Sequence, residues 1–282
     1  MKDCCIVLNP NARAVRRIDL EDQLARVAPG AVVRRTSGPG EAEFLAREAV
    51  REGFETVVAA GGDGTVNEVL RGIVGTPARL GVLPVGTVNV FAQELGLPLD
   101  WEEAWTRILR GGERTVDVGW ANECPFIQLA GVGFDAEVVM RVSPSAKRAF
   151  GPGAYLWSGL GQLGQAHPTL EIKADGIPTL FGAWVLVGMG RYYGGPIPLF
   201  PRACQQDGLL DVLVIREVNL RTALQCLLTV PWGGHSLLDG VEYFQTREVT
   251  IEGPAAVEVD GEAMGRTPVR FAVGAERLRV VV

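Results

Sequence analysis

Hydrophobic and polar positions follow two different rhythms along this chain of 282 residues. Over roughly the first 110 residues, apolar runs alternate with amphipathic stretches of helical period. "CCIVLN", "AVVRRT", "TVVAAGG" and "RLGVLP" read as strands, while "AVRRIDLEDQLARVA", "GEAEFLAREAVREG", "TVNEVLRGIV" and "WEEAWTRILRGG" read as helices. Strands separated by helices of that length form β-α-β units around a parallel sheet covered on both faces. From Glu113 onward short strands take over: "RTVDVGWA", "PFIQLAGVG", "TLEIKAD", "GAWVLVGM", "LLDVLVIRE", "EVTIEG", "AAVEVDGE" and "VRFAVG". Turns marked by Gly or Pro separate them, so this half is mostly antiparallel β structure. Two helical stretches interrupt it, "GAYLWSGLGQLGQ" and "NLRTALQCLLTV", and the closing "RLRVVV" fits either sheet. The fold class predicted is α/β followed by antiparallel β, in two domains.

Composition narrows the function classes without naming one. Hydrophobic content of 47% and charged content of 21% belong to a globular chain. A net charge of −6 leaves no global basic footprint, so nucleic acid is not an expected partner. The five cysteines form no Cys-x-x-Cys pair, which disfavours a disulfide scaffold or a zinc site and fits a reducing cytoplasm. The apolar run of "MKDCCIVLNP" is too short for a signal peptide, and no run of about 18 apolar residues occurs. A soluble cytoplasmic protein is expected, one that would meet a membrane only at its surface.

The chemistry concentrates where the third strand ends. "GGDGT" (Gly61, Gly62, Asp63, Gly64, Thr65) lies at the carboxyl end of a parallel strand and opens a helix. Ligands of open parallel sheets bind at such ends. Glycines permit close backbone approach, and a helix N-terminus adds unpaired N–H groups that favour an anion. Asp63 would repel a bare phosphate, but with Mg²⁺ between them the two are compatible. "LPVGTVNVFA" repeats the device one strand later, with Gly86 and Thr87 turning and Asn89 opening a helix. Neither a Walker motif nor a G-x-G-x-x-G turn is present.

"GGDGTVNEV" followed by "GVLPVGTVNVFAQELGLP" resembles the diacylglycerol kinase catalytic domain family, in its soluble bacterial lipid kinase branch. "VDVG", "AGVGFDAEV", "RYYGG", "QDGLLDV" and "VDGE" continue the resemblance in the family's order over most of the chain. It implies an N-terminal three-layer α/β nucleotide-binding domain over 1–118, rejoined by a final strand over 275–282. A β-sandwich domain over 119–274 follows, with the active site between the two. The cofactors implied are ATP and Mg²⁺, and the acceptor is a diacylglycerol-like or sphingoid-like lipid. Asn9, Thr36, the Gly61–Thr65 loop, Glu68, Gly86, Thr87 and Asn89 would line the nucleotide site. Asp63 and Asp117 would hold the catalytic Mg²⁺, and Glu262 would be the general base, with Asp260 beside it. Asp207, with the backbone carbonyls of Cys204 and Leu209, resembles a second, structural Mg²⁺ site.

Some positions depart from the family pattern. Asn11 to Arg13 replace a Ser-Gly turn, Val90 stands where a carboxylate is usual, and Gln128 and Met189 stand where Asn is usual. Two competing readings follow: an NAD kinase-like enzyme sharing the GGDGT loop, and a non-catalytic nucleotide or lipid sensor that keeps the fold. For membrane access, basic Arg141, Lys147 and Arg148 precede Phe150, Tyr155, Trp157 and Leu160 in 141–165, a segment suited to peripheral contact with the inner membrane face or to packing. A homodimer is left open. His167 and His235 read as loop residues without a useful carboxylate partner, and Trp232 reads as packing.

Overall fold

The computed structural model describes residues 4–12, 15, 20–28, 30–141 and 167–282. The chain divides into one unit of Met1–Val118 with Ala275–Val282, and a second of Gly119–Gly274. The first unit runs β1 (Cys4–Leu8), α1 (Leu20–Val27), β2 (Val32–Arg35), α2 (Glu41–Arg51), β3 (Thr56–Gly61), α3 (Asp63–Ile73), β4 (Arg79–Pro84), α4 (Val90–Glu94) and α5 (Trp101–Arg110). Its sheet is parallel in the order β2-β1-β3-β4, with Leu8 beside Ala60 and Ala60 beside Leu83. β1 and β3 are buried at every position, as continuous apolar runs require when both faces of a sheet are covered. Leu20 and Leu24 of α1 and Trp101 and Trp105 of α5 pack with Ile6, Leu8, Val58 and Leu83 into one core.

The chain continues with β5 (Glu113–Ala121), β6 (Cys124–Phe126), β7 (Leu129–Gly133), α6 (Phe134–Arg141), β8 (Leu170–Ala174), β9 (Ile177–Gly182), β10 (Trp184–Gly188), β11 (Leu210–Ile215) and α7 (Leu220–Thr229). β12 (Val241–Thr246), β13 (Glu248–Glu252), β14 (Ala256–Val259), β15 (Glu262–Arg266) and β16 (Val269–Val281) complete it. An antiparallel sheet β12-β11-β10-β7-β14-β15 supplies one face of the second unit's core, and β13, β8 and β9 with the start of β16 supply the other. Val132, Val187 and Val212 from the first face meet Val249, Ile251 and Phe271 from the second, which is the layering of a β-sandwich.

Several readings of the sequence change here. "VRFAVG" and "RLRVVV" are not two strands but the single β16, whose Arg279 and Val280 pair in parallel with Arg79 and Leu80 of β4. "PFIQLAGVG" is not one strand but β6 and β7, because the Asp260 carboxylate accepts the N–H groups of Ile127, Gln128 and Leu129 between them. His235 is fully buried, its Nε2 2.7 Å from the Leu199 carbonyl, and burial pushes its imidazole below the usual range. His167 does have a carboxylate partner: its Nδ1 lies 3.7 Å from Glu137 Oε2. Trp232 is 87% exposed and packs on nothing like a core, and Leu220, Leu224 and Leu228 of α7 and Leu237 are exposed with it. "GAYLWSGLGQLGQ" and the basic–aromatic stretch after Arg141 lie outside the described residues.

Candidate functional site

In the first unit the expected site residues gather at the carboxyl ends of β1, β3 and β4. Gly62 caps α3 in an extended conformation, and the helix begins at Asp63 rather than at Thr65. Asp63 is therefore a first-turn residue at the positive end of the helix, and its Oδ1 accepts the Phe91 N–H of α4 at 3.1 Å. Asn89 stands at φ 56 as the N-cap of α4, a left-handed position that asparagine tolerates. Its Oδ1 accepts Gly86 N–H at 3.0 Å and its Nδ2 donates to the Pro84 carbonyl at 3.1 Å. The two Gly-Thr turns touch backbone to backbone: a Cβ at Gly86 would collide with Gly62 Cα, and one at Gly62 would lie 3.2 Å from Gly86 Cα. These glycines are present because nothing larger fits. Gly64 and Thr87 are exposed at the rim of the same loops.

Asn9 ties the first strand to this cluster, donating from Nδ2 to Thr65 Oγ1 at 3.2 Å, while its Oδ1 accepts Asn11 N–H at 2.9 Å. Thr36 is buried beside it, its N–H bonded to the Leu8 carbonyl at 2.9 Å. Glu68 has a supporting place: its two carboxylate oxygens accept the N–H groups of Gly40 and Ala42, capping α2 at 2.9 and 3.0 Å. Gly40 enters that helix at φ 81. Asp117 of β5 is buried and paired with Arg277 of β16 at 2.7 Å, which neutralises its charge.

In the second unit, Glu262 is exposed at the start of β15, opposite Val259 of β14. The turn between them is held firmly. Asp260 stands at φ 50, donates its N–H to the Leu129 carbonyl at 2.7 Å, and spends its carboxylate on the backbone of 127–129. Asp260 thus anchors the hairpin. Asp207 Oδ1 accepts Leu209 N–H at 3.0 Å, and its N–H faces the Cys204 carbonyl at 3.5 Å across a tight turn. Asp211, two residues on from Leu209, is buried and accepts the Tyr243 hydroxyl; burial pushes its carboxyl above the usual range.

One acidic cluster escapes sequence reasoning. Asp135 of α6 and Glu258 of β14 are 3% and 1% exposed, and Tyr193 donates its hydroxyl to Asp135 Oδ1. Burial holds both carboxyls above their ordinary range, Glu258 well above, with the neighbouring Asp135 charge adding to its shift. The available signal was Glu258 itself, a lone charge between Val257 and Val259 in an apolar strand.

Magnesium binds through hard oxygen donors, often one or two carboxylates completed by water and phosphate oxygens. Asp63 and Asp117 have that chemistry, each also carrying a protein partner, Phe91 N–H and Arg277. The Cys204–Leu209 turn offers backbone carbonyl oxygens and the Asp207 carboxylate, hard donors that suit the same cation. Among the described residues no three His, Cys, Asp or Glu side chains gather as an all-protein metal cage.

The comparisons with known proteins divide the chain in two. The family described as "Diacylglycerol kinase catalytic domain" matches residues 3–121, and "YegS C-terminal NAD kinase beta sandwich-like domain" matches residues 129–282. The chain is 31% identical to a diacylglycerol kinase of Bacillus subtilis (strain 168), over 96% of this chain and 93% of that one. It is 33% identical to a diacylglycerol kinase of Staphylococcus carnosus (strain TM300), over 84% and 79%. A solved structure from Bacillus anthracis str. Sterne superposes with TM-score 0.80 at 25% identity, covering 99% of this chain and 97% of that one.

Proposed function

The chain belongs to the diacylglycerol kinase family, lipid kinases whose acceptor is an alcohol group, and from that premise we propose that it transfers the γ-phosphoryl group of ATP to a diacylglycerol hydroxyl. The observation that carries this reading is the contact between the two glycine turns, where the main chains at Gly62 and Gly86 meet at the N-terminus of α3. Such a cradle is suited to phosphate oxygens. Bound Mg²⁺ would supply charge neutralisation on those phosphates. Asp63 and Asp117 are the residues that would hold it, and Asn9 and Thr65 keep the Asp63 loop in place through their mutual hydrogen bond. Glu262, exposed on its braced hairpin, is the carboxylate that takes the proton from the acceptor hydroxyl. Val90, Gln128 and Met189 depart from the family pattern, and all three carboxylates are retained.

A lipid acceptor has to be met at a bilayer. Leu220, Leu224, Leu228, Trp232 and Leu237 form an exposed apolar set, and no Asp, Glu, Lys or Arg occurs between Thr222 and Leu238. No helix among the described residues is long and apolar enough to cross a membrane. Peripheral contact through α7 and Trp232 is the arrangement these facts support, on the cytoplasmic side where ATP is available.

The test is direct. The protein is incubated with γ-labelled ATP, Mg²⁺ and vesicles containing diacylglycerol, with NAD in a parallel reaction. Labelled phosphatidate in the organic phase is the expected product; label on NAD alone, or on neither, overturns the reading.

A further inference from the structure

The buried acids of the second unit have no place in the reaction as written above, yet they sit directly beneath the turn that carries Glu262. Gly131 of β7 makes room for them. A Cβ there would collide with Asp135 Oδ2 and lie 2.8 Å from Glu258 Oε1, so the two oxygens converge over one glycine. The outer oxygens have protein partners: Asp135 Oδ1 accepts the Tyr193 hydroxyl, and Glu258 Oε2 accepts Gly261 N–H at 2.8 Å. Glu258 Oε1 is wholly buried and meets no hydrogen-bond donor among the described residues. Two carboxylate oxygens can face each other in a buried site only when a proton lies between them. A proton on Glu258 Oε1, donated to Asp135 Oδ2, satisfies the whole cluster at once.

We propose that Asp135 and Glu258 share this single buried proton, and that the pair is the positioning device for the Asp260–Gly261 turn and hence for Glu262. The connection is short and stiff. Glu258 holds Gly261 N–H, Asp260 holds the backbone of 127–129, and Glu262 follows immediately on β15. Asp135 and Tyr193 fix the far end. Glu258 and Asp135 are positioning residues that never reach substrate. The titratable groups facing the pair are Tyr193 and, on the turn, Asp260, while Glu137 of α6 lies 3.7 Å from His167 instead. Raised carboxyl values agree with the assignment. They also set its sign: the folded pair keeps its proton to higher pH than the unfolded chain does, so its stabilisation is complete at low pH and lost as pH rises through the folded value.

This inference deepens the kinase reading and rests on it only for its catalytic half. Glu258→Gln keeps a donor toward Asp135 and an acceptor for Gly261 without any proton to lose; Glu258→Ala removes both. Three measurements separate the outcomes. In thermal unfolding from about pH 5 to about pH 9, the wild-type midpoint should fall relative to Glu258→Gln as pH rises. Parallel curves would overturn the shared proton. The Gly261 amide should lose hydrogen-exchange protection in Glu258→Ala and keep it in Glu258→Gln; equal protection in both variants would overturn the positioning role, whatever the protein phosphorylates. In the kinase assay, Glu258→Ala should lower kcat by about ten- to a hundredfold with KM for ATP unchanged. Glu258→Gln should restore kcat and remove the alkaline decline. A Glu258→Gln as slow as Glu258→Ala would sink the proposal, while no turnover in the wild type would sink the kinase reading and leave the stability and exchange results to judge the pair.

Discussion

The first unit makes its polar site from backbone, and the second makes its own from buried side chains. At Gly62 and Gly86 main chains approach so closely that side chains are excluded, and the residues around them, Asn9, Asn89 and Glu68, spend their polar groups keeping main chain in place. In the second unit the corresponding work falls to Asp260, Asp135 and Glu258, whose carboxylates brace a hairpin from beneath. A backbone cradle tolerates sequence drift nearby but no Cβ within it. A side-chain brace tolerates conservative exchange but responds to pH. The two regions should therefore fail in different ways.

The largest effect separates chemistry from binding. Glu262→Gln should lower kcat by about a hundred- to ten-thousandfold, the range a lost general base costs, while nucleotide affinity measured by calorimetry stays near wild type. Asp63→Ala should abolish turnover too, but with Mg²⁺-dependent nucleotide binding lost, since it also strips Phe91 N–H of its partner. Loss of nucleotide binding in Glu262→Gln would erase the contrast between the units.

Next comes a pair of glycines in one motif. Gly86→Ala places a methyl group against Gly62 Cα and should cost about a hundredfold in kcat/KM. Gly64→Ala meets no protein atom within 4 Å and needs no positive φ, so its thermal stability should match the wild type while that of Gly86→Ala falls. Equal damage at both positions would mean that the loop needs flexibility in general rather than close approach at one point.

A tenfold effect is expected at the apolar surface. Leu224→Glu and Trp232→Ala should weaken sedimentation with anionic vesicles by about an order of magnitude each, leaving turnover on a micellar short-chain diacylglycerol unchanged. If ultracentrifugation instead shows a dimer that these substitutions dissociate, a second copy of the chain covers the face.

The backbone site was the more legible of the two in the sequence, for a physical reason. Glycine is informative because it is required by geometry, and "GGDGT" and "VGT" at successive strand ends announce a turn whatever else surrounds them. The alternating pattern likewise gave the α/β half and the antiparallel half, because strands covered on both faces and strands covered on one leave different hydrophobic periods. Side-chain braces leave no such trace. Asp135 and Glu258 are 123 residues apart and become partners only when α6 and β14 pack over Gly131. β12 and β15 went unread for a related reason: "VEYFQT" and "EAMGR" are largely half-buried or exposed and carry little apolar contrast. The burial of His235 and the exposure of Trp232 reverse what residue type suggests, and only the fold decides such cases.

The smallest expected effect is the sharpest probe of the brace. Tyr193→Phe removes one hydroxyl from a buried cluster and leaves its shape intact, so it should cost about 1–2 kcal/mol of stability, read from chemical denaturation near neutral pH. The pH response carries more information than the size. The Tyr193 hydroxyl donates to Asp135 and so lowers the pH at which the acid pair loses its proton. Without that donor the ionised pair is less well solvated, and the proton is held more tightly. The loss of stability on raising pH should then run on to higher pH in Tyr193→Phe than in the wild type, from a lower starting plateau. A loss that levels off at lower pH would mean that Tyr193 faces a protonated Asp135 and accepts from it. The shared proton would then belong to the other carboxyl, and the chain of contacts leading to Gly261 would have to be redrawn from Asp135 outward.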